Sequence, residues 1–186
     1  VDGAIDTSGG LPGAAGQNTN NAGDITINSA GNFKTTATIS ANAGLGAIGD
    51  AGHIRITAVD DIKTVGLNSR SNLLSDAGQH AAGSITLTGG TISGTGAITT
   101  SAYHGFINPA HRRFGDGGAV TLTSTEGDIT VDGVINADGG LAGVAGQNTN
   151  HAGQVTITGA ANVNILQAIS SIGNFAGGNG GDVTVS

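Results

Sequence analysis

The stretch Gly180-Gly181-Asp182-Val183-Thr184-Val185 is a pair of small residues, a variable residue, then aliphatic-Thr-aliphatic. Five degenerate copies precede it: Ala22-Gly23-Asp24-Ile25-Thr26-Ile27, Ala51-Gly52-His53-Ile54-Arg55-Ile56, Ala82-Gly83-Ser84-Ile85-Thr86-Leu87, Gly117-Gly118-Ala119-Val120-Thr121-Leu122 and Ala152-Gly153-Gln154-Val155-Thr156-Ile157. The second small residue falls at 23, 52, 83, 118, 153 and 181, so the spacing stays between 28 and 35 residues. A period in that range marks a chain that stacks one supersecondary unit on the next.

Each copy alternates with a period of two, which sends its two aliphatic side chains to one face of a strand and its Thr to the other. Two further short apolar stretches follow each copy. They centre on Phe33 and Ile39, on Ile62 and Val65, on Ile92 and Ile98, on Ile129/Val131 and Ile135, and on Val163/Ile165 and Ile169. Glycine, asparagine and serine separate them and suit tight corners with positive φ. Three short strands and a loop per period predict an all-β chain, a right-handed parallel β-helix (β-solenoid) of about six three-stranded rungs of 28–35 residues. A single rung cannot bury its apolar face. Stacked rungs turn the aliphatic residues into inward ladders and satisfy the backbone between levels. With 35 glycines in 186 residues and no sustained helical apolar spacing, a helical fold is a poor alternative.

The chain reads as one β-solenoid segment over residues 1–186 with a second, longer period. Residues 1–32 laid over 131–162 give 20 identities in 32 positions, an offset of 130 residues that spans four rungs. This four-rung superrepeat relates 1–56 to 131–186. The first residues read as mid-rung and the last open a new one. The expectation is therefore an interior piece of a longer protein, or ends that stack on other copies, because solenoids close with atypical capping repeats.

Charged residues are 10% of the chain and its net charge is −7, with six Lys and Arg in all, which gives no footprint for nucleic acid. Without cysteine there is no disulfide, thiolate metal site or Cys nucleophile. No apolar run reaches the length of a membrane span. Neither a cofactor nor a catalytic or metal-binding residue is expected.

Two stretches are candidates for contact with other molecules. Residues 102–116 depart furthest from the repeat and hold Tyr103, His104, Phe106, His111, Arg112, Arg113 and Phe114. Tyr and Arg are frequent in binding hot spots, and loops carry function on rigid scaffolds. Such a loop fits a partner chain, a glycan or another copy. It equally fits a loop folded on the solenoid wall with its aromatics covering apolar surface. The second stretch is the outward Thr ladder, Thr26, Thr86, Thr121, Thr156 and Thr184, with Thr-x-Thr pairs at 86/88, 121/123 and 156/158. A regular Thr face is one way to bind ice; Thr is also simply a good outward strand residue. Asp60, Asp61, Asp128 and Asp132 lack the aromatic and basic surroundings of a glycan-cleaving carboxylate pair and read as solvated acids.

The run Gly178-Asn179-Gly180-Gly181-Asp182-Val183-Thr184-Val185 with its five copies resembles the repeats of filamentous-haemagglutinin-like bacterial exoproteins. These are large adhesins exported by two-partner secretion. The resemblance spans the whole chain and implies a β-helical shaft, an extracellular or cell-surface location, and roles in adhesion, aggregation or filament formation. The secretion motif of that family is not matched: Asn108-Pro109 is followed by Ala110. The implied partners are further repeats of the same chain, other copies and cell-surface glycans, with no membrane insertion. The alternative is a filament subunit whose uncapped ends stack head to tail. A polysaccharide-active β-helix enzyme and an ice-binding protein are further alternatives.

Overall fold

The computed structural model describes residues 1–10, 21–44, 49–71, 80–102, 115–140, 150–173 and 177–186. Within them there is no helix. The strands are β1 (Ile5–Asp6), β2 (Ile25–Ser29), β3 (Phe33–Lys34), β4 (Ile39–Ser40), β5 (Ile54–Ala58), β6 (Asp61–Asn68), β7 (Ile85–Gly89), β8 (Thr91–Thr99), β9 (Val120–Ser124), β10 (Ile129–Val131), β11 (Ile135–Asn136), β12 (Val155–Thr158), β13 (Val163–Ile165), β14 (Ile169–Ser170) and β15 (Val183–Val185). The repeated phrase supplies every strand of the first sheet, in the order β15-β12-β9-β7-β5-β2, all parallel. The remaining strands form the second sheet, also parallel. Each circuit of the chain returns one level higher, which is a parallel β-solenoid. The number of complete three-stranded turns is below the expected six. The first and last levels are part-rungs, and in two levels the second and third strands run together as β6 and β8.

Inward columns follow the strand register. Ile54, Ile85, Val120 and Val155 form one, and Ile56, Leu87, Leu122 and Ile157 the next; all are essentially inaccessible. On the second sheet Phe33, Ile62, Ile92, Ile129 and Val163 stack, as do Ile39, Leu67, Ile98, Ile135 and Ile169. The second level corrects one expectation. Val65 is 53% exposed, and Leu67 takes the inward place between Ile39 and Ile98. Strict alternation carries Ile62 and Thr64 inward, but the chain turns a corner at Gly66, and the phase of alternation shifts by one.

Glycine acts here through close approach and not through φ. Among the described residues only Gly177 has positive φ. The marker glycines instead sit directly on one another. A Cβ on Gly52, Gly83, Gly118, Gly153 or Gly181 would overlap the carbonyl oxygen of the marker glycine one level below. For Gly23 the nearest described neighbour of such a Cβ would be Thr7 Cβ at an ordinary 3.5 Å. The same glycines tie the coil across its interior. Gly52, Gly118 and Gly153 donate their N–H to the carbonyls of Ala41, Thr100 and Ala137 at 2.7–2.9 Å. Ser69, Thr100 and Ser171 donate their hydroxyls to the carbonyls of Gly52, Gly118 and Gly153 at 2.6 Å. Both polar groups of a buried backbone are thereby satisfied.

One interior column is polar. Thr64 pairs with Thr95, which pairs with Val131 one level on. Thr64 and Thr95 are at most 5% exposed, and their hydroxyls have no hydrogen-bond partner among the described residues. An unpaired buried hydroxyl is costly, whereas a methyl group of the same shape is not. Thr95→Val should therefore stabilise the fold by about 1 kcal/mol, read as a higher urea midpoint at unchanged slope. The fourth level already carries this arrangement with Val131.

Candidate functional site

The outward side of the first sheet is built by the residues that alternate with its apolar columns. Thr26 pairs with Arg55, Arg55 with Thr86, Thr86 with Thr121, Thr121 with Thr156 and Thr156 with Thr184. The expected ladder is thus continuous, with Arg55 in the place of a Thr. A second outward column runs beside it: Asn28, Thr57, Thr88, Thr123 and Thr158. Ser186 continues it, its Oγ 3.4 Å from Thr158 Oγ1. None of the pairings in this sheet carries a register shift, whereas the second sheet is shifted between Ile62 and Lys63 and between Ile129 and Val131. At the third, fourth and fifth levels the face reads Ser84-Thr86-Thr88, Ala119-Thr121-Thr123 and Gln154-Thr156-Thr158. It is uncharged there, bounded by His53 and Arg55 on one side and Asp182 on the other.

The candidate loop residues Tyr103, His104, Phe106, His111, Arg112, Arg113 and Phe114 lie outside the described residues.

The acids have a structural task that the sequence reading missed. Asp61 accepts the Ser93 N–H at 2.9 Å, the Ser93 hydroxyl at 2.6 Å and the Thr91 hydroxyl at 2.7 Å, all from the next level. Asp128 accepts the N–H and side-chain amide of Asn162 at 2.9 and 3.0 Å. Two residues before the marker glycine, Asn21 accepts the Asp50 N–H, Asp50 the Ala81 N–H, and Asp116 the His151 N–H. Nδ1 of His151 and of His53 likewise accept the N–H of Asn179 and Ser84. The side chains therefore continue the backbone ladder around corners where strand pairing stops. Part of the signal was present: Asn21, Asp50, Asp116, His151 and Asn179 recur two residues before the marker glycine, whereas His53, Asp61 and Asp128 sit at other phases. Asp61→Ala should cost about 1.5–3 kcal/mol, the range for hydrogen bonds to a charged group. Asp60→Ala, at an exposed neighbour, should stay within about 0.5 kcal/mol. Paired thermal melts would separate the two.

In the first part-rung the Asp6 carboxyl is held below its ordinary value by the Ser8 hydroxyl and backbone N–H. The stabilisation from this contact is present above the usual carboxylate range and is lost as pH falls through the lowered value. No group of three or more His, Cys, Asp or Glu that could hold a metal occurs among the described residues.

The fold and this face define the chain as a parallel β-solenoid with a regular hydroxyl-bearing side. No family model, curated protein or solved structure matches it.

Proposed function

We propose that this chain is a shaft segment of a long extracellular surface protein, serving adhesion, aggregation or filament formation. The observation that carries the reading is the uniform level-on-level register of the first sheet, in which six successive strands repeat the same inward and outward columns. A unit that contacts only its neighbours above and below builds length without changing cross-section. Its product is a rod, and a rod's work is to span distance. The low charge and the absence of cysteine are compatible with exposure outside a cell. The resemblance to filamentous-haemagglutinin-like repeats points the same way. Partners in this reading are further levels of the same kind, and glycans reached through the 103–114 stretch.

A second reading is end-to-end stacking of separate chains, since a parallel solenoid level pairs with the levels above and below it. Denaturing mass measurement beside electron micrographs of the isolated material separates the readings. Thin fibres with a mass far above 17.9 kDa support the shaft; fibres with a mass near 17.9 kDa support stacked subunits. A small mass without fibres overturns both.

A further inference from the structure

We propose that the outward face of β7, β9 and β12 orders water into a lattice and adsorbs to ice. Three properties of the face carry this. First, it is uncharged over three consecutive levels, in a chain whose net charge is −7. Charged groups hold their own hydration shells and would break a regular water layer; among the described residues in the outward columns of this sheet they stand at the borders, as Arg55 and Asp182. Second, it is periodic in two directions. Thr86, Thr121 and Thr156 lie in one column and Thr88, Thr123 and Thr158 in the next, paired without a register shift. Strand geometry sets the two repeats at about 4.8 Å between levels and about 6.6 Å between alternate residues, a regular rectangular array on the length scale of a water lattice. Third, each Thr brings a hydroxyl and a methyl group together. Its β-branched side chain has few rotamers, so little order is lost on adsorption.

A polysaccharide is the less fitting occupant. Sugar rings are usually held by aromatic stacking and charged or amide hydrogen bonding, and the nine residues of this face include no aromatic, no charged side chain and a single amide, Gln154. The inference does not depend on whether the rod is one long chain or many short ones.

The test uses the chain as it is, in two assays: partition into a slowly growing ice hemisphere, and inhibition of recrystallisation in a frozen sucrose film. The wild-type chain is expected to enter the ice and to keep grains small. A double variant, Thr121→Lys with Thr123→Lys, places two charges at the centre of the face. It should lose at least tenfold in activity with unchanged circular dichroism. Arg55→Thr removes the bounding charge and adds a fourth Thr-x-Thr level, so it should lower the concentration needed several-fold. This gain cannot come from misfolding. Exclusion of the wild-type chain from ice, full activity in the double-lysine variant, or no gain from Arg55→Thr overturns the proposal.

Discussion

Gly118→Ala is expected to destabilise the solenoid by about 3 kcal/mol, the upper part of the range for overpacking, whereas Gly23→Ala should leave stability near that of the wild type. The two substitutions add the same methyl group at the same phase of the repeat. At residue 118 it would meet the Gly83 carbonyl oxygen and the carbonyl carbon behind it. Neither can yield without moving the strand below, because Gly83 sits on Gly52 in the same way. At residue 23, among the described residues, the methyl meets only Thr7, at van der Waals distance. The lower chain entropy of Ala in the unfolded state could even give a small gain there. Urea titrations of the two variants provide the check, with amide exchange to locate the damage. Contacts are confined to neighbouring levels, so faster exchange at residue 118 should centre on β7 and β9 and spare β2 and β15. Equal midpoints for the two variants would show that the stacked glycines are not under steric constraint.

Leu87→Ala should cost about 3–4 kcal/mol, within the range for deleting a buried leucine side chain. Val185→Ala should cost less than about 1 kcal/mol, because a half-exposed side chain has little burial to lose. Leu87 is fully buried and stands between Ile56 and Leu122 in one column, so its removal opens a cavity touching three levels. That cavity cannot collapse easily, since the strands on either side are held at fixed spacing by their own hydrogen bonds. Val185 is 49% exposed and pairs with Ile157. Midpoints measured on both variants give the contrast directly. A large loss at residue 185 would mean that the β15 face is covered by another level in solution, which the end-to-end reading requires.

Much of the rod was legible in the linear chain. The marker glycine and the aliphatic-Thr-aliphatic triplet fixed the period, the parallel class and nearly every inward column of the first sheet. This works because a strand's two faces alternate with a strict period, so inward and outward follow from spacing alone. Period alone failed where the chain turns. The Val65 expectation put an outward position of the Ile62–Gly66 alternation inside; the corner at Gly66 then shifts the phase and brings Leu67 inward instead. The glycines were expected to serve positive φ; their role as contact points between levels depends on residues about 30 positions apart, which no local pattern displays. Likewise Asp61 and Asp128 looked like isolated solvated acids because their partners, Ser93 and Asn162, lie one level away.

For the candidate face, the sequence by itself determined its material: Thr at a fixed phase of each repeat, and an interrupting Arg55. Only the tertiary structure decided that Thr86, Thr121 and Thr156 stand in line, that a second column at 88, 123 and 158 stands beside them, and that the three levels share no charge. Spacing along the chain varies between 28 and 35 residues, so identical phase does not guarantee identical height. Backbone hydrogen bonding between levels brings the strands into one register despite the uneven spacing.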